Sequence, residues 1–240
     1  MDKFVESEYL DDRCWSHTWE FHLQQALLYD PLRVGIISAI IPIPESKAVL
    51  IFTEECVYRS ESNGLEVLNQ LSAAQCFPSY GIMSACLRSL KCFGRYKFPW
   101  ICPYFTLFPI ESPERTTWIN PLMVYCLQVK NNIYYAKMVN GPNLVLPLQK
   151  KAFLKRADVA CSALATVRRD LFRFSVKSHS PTDYIDSTTP FYRHLLLKSS
   201  SLQQFSLQLG AFSRHYAKAH FLHHYDKLDQ EPHMIDWRRW

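Results

Sequence analysis

The stretch that most limits what this chain can fold into is KFPWICPYFTLFPIESPERTTWIN, residues 97–120. Prolines stand at positions 99, 103, 109 and 113. Each one removes a backbone donor and breaks a helix, while the aromatic residues between them favour extended backbone. The segment therefore reads as two short strands flanking the Glu111-Ser112-Pro113-Glu114 turn, with prolines fixing the strand ends and aromatics filling a core. Trp118 is expected to be a core residue that organises the sheet, not a platform for base stacking. On these terms the segment carries no chemistry of its own.

Periodicity and turn chemistry extend this reading in both directions. Residues 1–31 are expected as an N-terminal arm with a short helix over 15–29, ended by Asp30-Pro31. Apolar β-branched runs at 34–43 and 48–58, separated by a Pro-Glu-Ser-Lys turn, predict a hairpin. Short helices are expected from Leu65 towards Cys76 and over 82–93. Strands follow at 100–110, 117–130, 133–139 and 143–148, with turns at Asn131-Asn132 and Asn140-Gly141. Residues 149–174 predict a long helix. A polar linker over 178–190 precedes one or two helices over 191–228. The fold class is α+β: a central, mostly antiparallel β-sheet with flanking helices and a helical C-terminal extension. The expected division is an arm (1–31), a central domain (32–177) and a linker with helical extension (178–240).

The chain of 240 residues is 48% hydrophobic, enough for a sizeable core. Its acidic start, MDKFVESEYLDD, does not read as a secretory signal. The longest uncharged apolar stretch, 98–110, is too short and proline-broken to span a bilayer, so a cytoplasmic protein without membrane association is expected. The eight cysteines include no C-x-x-C pair and are expected as thiols, not bridges.

The net charge of +5 hides an asymmetry: −7 over residues 1–85, +11 over 86–177 and +1 over the rest. A basic middle segment is the footprint of a polyanion binder, and equally of a solvated face with no partner. On a helical wheel Lys150, Lys151, Lys155, Arg168, Arg169 and Arg173 fall within roughly 140°, with most apolar residues opposite and Arg156 among them. A basic face over an apolar one suits a helix lying along a phosphate backbone. Many ordinary surface helices share it.

Catalytic motifs are missing. There is no G-x-G-x-x-G, G-x-x-x-x-G-K-[ST] or G-x-S-x-G, and only six glycines to build phosphate loops. Histidines gather late, at 215, 220, 223, 224 and 233. His220 and His224 have the i, i+4 spacing of two metal ligands on one helix, yet no H-E-x-x-H or paired cysteine accompanies them. They read as surface histidines. No cofactor, no metal and no enzymatic activity are expected.

As a pattern, the 97–120 segment resembles the competence transcription factor ComK family. There a K-x-P-x-I element leads into F-x-x-F/L-F-P, an S-P-rich turn and W-I-[SN]. Here these are Lys97-Phe98-Pro99-Trp100-Ile101, residues 105–109, Ser112-Pro113 and Trp118-Ile119-Asn120. Asn140-Gly141 and Leu146-Pro147 match the closing turn and L-P pair, and residues 53–58 resemble the first strands. The resemblance covers roughly residues 48–174. It implies a transcription activator of late competence (DNA-uptake) genes that binds A/T-rich promoter boxes in double-stranded DNA as a homo-oligomer, mainly through the minor groove. A narrow A-tract groove attracts arginine and lysine, which fits the basic middle segment. A nucleoid-associated location and control by an adaptor of a Clp-type protease are implied too. The candidate DNA-contacting residues are Arg88, Lys91, Arg95, Lys97, Lys150, Lys151, Lys155, Arg168, Arg169 and Arg173. The family's S-S-x-x-G-R stretch has residues 83–89 in its place, with Arg88 at the arginine and no glycine. That departure keeps open a regulatory protein-interaction module without DNA binding. Two packings are open for the apolar residues of the C-terminal segment 191–228, whose spacings of three and four dominate from Leu202 onward: docking on the protein's own body, or on a second copy.

Overall fold

The structure, a computed structural model, describes residues 9–174 and 178–230, with the backbone alone over 226–230. The fold is α+β, with eleven strands and six helices among the described residues. The strands form two sheets where one was expected. The larger is built from β2 (Leu27–Leu28), β3 (Ile37–Pro42), β4 (Val49–Thr53), β5 (Val57–Ser60), β6 (Trp100–Ile101), β7 (Thr106–Pro109) and β8 (Trp118–Ile119), in the order β2-β5-β4-β3-β8-β7-β6. The smaller holds β1 (Tyr9–Leu10), β9 (Val124–Lys130), β10 (Ile133–Met138) and β11 (Asn143–Leu146), in the order β1-β11-β10-β9. Every pairing is antiparallel except β1 with β11 and β2 with β5.

The division into two sheets falls inside the run expected as one strand over 117–130. Asn120 donates from its side-chain amide to the Ile37 carbonyl and accepts from the Leu122 amide. This caps a 3₁₀ turn at Pro121–Met123. Proline cannot donate to a ladder, so β8 ends there and β9 starts in the other sheet. A second break lies in the 48–58 run. Thr53 Oγ1 accepts from the amides of Glu55 and Cys56 and donates to the Cys56 carbonyl. That local bonding competes with the ladder and separates β4 from β5. The expected turns form as read: Asn131 and Asn132 both take positive φ, and Gly141 sits at φ +92°.

Along β4 the side chains alternate between two cores. Leu50 and Phe52 belong to one, Val49 and Ile51 to the other. All four are buried, so the large sheet is covered on both faces. This is why its strands read as continuous apolar runs and not as alternation. Helix α2 (Gly64–Ala74) covers one face with Val67, Leu68 and Leu71. It starts with a capping box, in which Asn63 accepts from the Glu66 amide and the Glu66 carboxylate accepts from the Asn63 amide. The other face carries α4 (Lys150–Asp170) through Phe153, Ala157, Ala160 and Leu164 and α3 (Tyr80–Leu90) through Met83, Cys86 and Leu87.

Both ends of the described chain join this body. In the expected arm, α1 (His17–Gln25) buries Trp19 completely, and β1 and β2 each add a parallel strand to a sheet. In the expected linker, a 3₁₀ turn at Pro181–Tyr184 buries Tyr184, with Ile185 beside it. Helix α5 (Pro190–Lys198) buries Phe191, Tyr192 and Leu195 in the main core. Helix α6 (Ala211–Gln230) begins only after Gly210, nine residues later than the run of apolar spacing starting at Leu202. It docks intramolecularly through Phe212, Tyr216 and Ala219.

Trp118 is fully buried, as expected, in the core under α2. Its indole N–H donates to the Pro113 carbonyl at 3.2 Å, and Tyr80 meets it edge-on. Gly64 lies so close that a Cβ there would sit 3.0 Å from the indole. Trp118→Ala should cost about 3–5 kcal/mol, as for other buried large aromatics. Urea unfolding measures this, and a variant as stable as the parent would show that Trp118 does not organise the sheet.

Candidate nucleic-acid interface

The ten sequence-derived candidates separate into three groups. The first lies on the last turn of α3 and the loop after it. Lys91 caps the helix at φ 62°, Gly94 takes φ +86° and Lys97 φ 59°. These three left-handed positions reverse the chain repeatedly before β6. Phe93 and Phe98 are buried and anchor the loop. Around these anchors Arg88, Lys91, Arg95, Tyr96 and Lys97 are all exposed, Tyr96 at 82%. No acidic residue occurs between positions 88 and 97. Among the described residues none of these four cations forms an ion pair. Arg88 lies over the Phe98 ring at 5.8 Å.

The second group is the first two turns of α4, where Lys150, Lys151 and Lys155 are exposed. It connects to the first through Lys97 and Arg156. Lys97 Nζ donates to the Ile110 carbonyl at 3.5 Å, and Arg156 Nη1 donates to the neighbouring Pro109 carbonyl at 3.3 Å. Burial, and then the Arg156 charge, hold the Lys97 ammonium below its ordinary pKa. Arg156, which the wheel placed on the apolar side, is held below its own ordinary value by burial.

In the third group Arg168 and Arg169 turn their side chains onto the protein, while Arg173 stays exposed. Arg168 donates from Nε to the Pro103 carbonyl at 2.8 Å, from Nη1 to Tyr184 at 2.6 Å and from Nη2 to Tyr104 at 2.7 Å. Burial lowers its pKa, and the guanidinium serves as a bracket between the 103–104 loop and the 3₁₀ turn at residue 184. Arg169 donates to the Asp170 carboxylate at 2.7 Å and to the carbonyls of Leu207 and Gln208, and its guanidinium lies 3.8 Å from the Phe205 ring centre. Its side chain is 7% exposed. Arg173 is exposed but lies beyond the end of α4, at φ 52°. The wheel aligned Lys150 with Arg168 and Lys151 with Arg169, yet eighteen positions separate each pair, about 27 Å along a helix axis. One end of that face meets water and the other is roofed by residues 184 and 205–208. The ten candidates thus lie at a helix end with its following loop, at a helix start, and at a second helix end where Arg168 and Arg169 are bonded inward.

Sequence reasoning missed Tyr96, the most exposed aromatic of the loop; its position between Arg95 and Lys97 was the available signal. It also missed the grouping of Lys150 with His194 and Lys198 from α5. Burial, then Lys198 and Lys150, push the His194 imidazole below its ordinary pKa.

Elsewhere, a cavity of about 780 Å³ opens beside Arg169, Arg173, Phe174, His179, Tyr184 and Phe205. Its described lining includes no cysteine and no carboxylate. All eight cysteines are free thiols, with Cys14, Cys76 and Cys92 exposed and Cys86, Cys102 and Cys161 buried. Among the described residues no three His, Cys, Asp or Glu side chains converge on a point. His233 lies outside the described residues. No described helix is long and apolar enough to cross a membrane. No protein-family model, curated protein or solved structure matches the chain. The resemblance to the ComK family therefore rests on the aromatic–proline pattern by itself.

The contrast along α4 can be measured. Asp170→Ala leaves the Arg169 guanidinium buried without its carboxylate and should cost about 3–5 kcal/mol. Lys151→Ala, on an exposed turn, should stay within about 0.5 kcal/mol of the parent. Denaturant unfolding of both variants checks this, and equal losses would refute the division of α4 into a solvated and a packed end.

Proposed function

We propose that the protein is a DNA-binding regulator that contacts the duplex through the end of α3 with the loop after it (88–97) and the first two turns of α4. The observation that supports this reading is the junction at Pro109 and Ile110. Adjacent carbonyls there hold Lys97 and Arg156, which brings a helix end and loop with four exposed cations next to a helix start with three. Phosphate contacts from such side chains supply most of the affinity of a DNA binder. A narrow loop anchored by Phe93 and Phe98, with Arg95 and Tyr96 outward, suits insertion into a groove. Arg168 and Arg169 take no part in this reading, because their donors are committed inside the protein.

The ComK resemblance extends the proposal to activation of late competence genes at A/T-rich boxes, binding as a homo-oligomer, nucleoid association and control by a Clp-protease adaptor. A second reading, a protein-interaction module without DNA binding, is favoured by a different observation. Trp15, Phe21, Leu27, Leu28 and Leu32, close in sequence around α1 and β2, are between 53% and 84% exposed.

Titration of A/T-rich and G/C-rich duplexes at several salt concentrations separates the two. With about six phosphate contacts the log–log slope of affinity against salt should be near −5. Arg95→Ala and Lys155→Ala should each weaken binding and reduce the slope by roughly 1. Preference for the A/T-rich duplex supports the minor-groove form. Affinity that stays flat from low to physiological salt, or no binding at all, rejects DNA recognition in favour of the protein-interaction reading.

A further inference from the structure

Helix α6 has two different halves. Its first half is docked by Phe212, which is fully buried, and by Tyr216 and Ala219. Beyond them Phe221, Leu222 and Tyr225 are 65%, 46% and 53% exposed. On this outer half His220 and His224 stand one turn apart. Their Nε2 atoms are 3.2 Å from each other, with ring centres 4.4 Å apart. The ring of His223 meets His224 edge-on, and the Tyr216 ring lies beside His220. Both imidazoles are thus flanked by other rings.

The two Nε2 atoms share a hydrogen bond, one imidazole donating to the other, and its 3.2 Å length is also compatible with two ligands on one ion. A zinc–imidazole bond is about 2.0–2.1 Å long, so two nitrogens on one ion in square or tetrahedral geometry lie roughly 2.9–3.4 Å apart. The two Nε2 atoms already have the spacing of neighbouring ligands on a single ion. An α-helix sets this arrangement through its pitch, because residues i and i+4 stack on one face.

We propose that His220 and His224 chelate one divalent cation of the zinc(II) or copper(II) class through their Nε2 atoms. Neutral imidazole is a preferred ligand for these borderline ions and a poor one for magnesium or calcium. Among the described residues no third His, Cys, Asp or Glu joins the two histidines at the ion. It does not hold the fold together, since α6 is already fixed through Phe212 and through Asp170, which accepts from the Phe212 amide and, by its carbonyl, from Ser213 Oγ.

The test is calorimetric titration of the full chain with zinc sulfate, after alkylation of the exposed thiols. Wild-type protein should bind one ion per chain at these histidines. Loss of a ligand's outer partner alone commonly costs roughly 10–100-fold in affinity, so His220→Gln and His224→Gln should each weaken binding at least that much. Both sites are on an exposed helix face, and circular dichroism should show unchanged folding. His215→Gln removes a ring engaged by Ser89 Oγ at 2.9 Å and should leave zinc affinity unchanged. In histidine-ring NMR spectra the His220 and His224 signals should move together on the first equivalent. Absence of saturable binding, or binding by His220→Gln and His224→Gln with wild-type affinity, would overturn the assignment.

Discussion

The fold turns on the last two turns of α4, where Arg168, Arg169 and Asp170 join segments distant in the chain. Asp170 is completely buried at its carboxylate, which accepts from Arg169 and from the amide of Phe212. Arg168 donates to carbonyls of residues 103, 104 and 184. A buried carboxylate or guanidinium is costly unless every lone pair and proton finds a partner. Here the partners come from the proline-rich loop of the large sheet, the segment after α4 and the start of α6. The position of α6 and the shape of the 203–210 loop are both set by this cluster. A parallel arrangement holds at mid-helix, where Asp158 accepts from Ser199 and Ser201 and ties the turn after α5 to α4.

The large sheet supplies the platform on which this is built. Since both of its faces are buried, it needs covering elements on each side, and the chain provides α2 for one and α3 with α4 for the other. The α3–β6 connection must then pass from a covering helix to an edge strand. It does so through the loop at 91–99, held by Phe93 and Phe98. This basic loop is therefore a consequence of sheet coverage: Phe93 and Phe98 are taken inward by the core, and Lys91, Arg95, Tyr96 and Lys97 remain outside.

Much of the fold was legible in the sequence because it depends on local rules. The paired asparagines at 131–132, the Asn140-Gly141 turn and the apolar periodicity of α4 each carry their meaning within a few residues. The two-sheet division was not legible, since it depends on the side chain of Asn120 reaching the carbonyl of Ile37, 83 positions away. The role of residues 9–31 was hidden for the same reason: β1 and β2 are two-residue strands whose existence depends on partners at 143–144 and 58–59. The candidate site was half legible. A charge count finds arginines and lysines but not what they bond to, and the acceptors for Arg168 are backbone carbonyls 16, 64 and 65 positions away. Such carbonyls leave no mark in the sequence.

The start of α4 presents the opposite case, a cluster that the fold does not reward. Its first turn holds no acidic residue and its N-cap makes no side-chain hydrogen bond. The unpaired amides there carry the positive end of the helix dipole, where lysine is unfavourable and an anion favourable. Lys150 and Lys151 nevertheless occupy this end, Lys155 follows, and Lys198 of α5 adds its charge beside His194. The arginines at the far end of the same helix are compensated by a carboxylate and by carbonyls, so their cost is met within the protein. For the lysines at the near end no carboxylate stands within ion-pair distance among the described residues. A phosphate backbone lying across this end would meet the helix dipole and the ammonium groups with one row of negative charge, and would turn a locally repulsive arrangement into a favourable one.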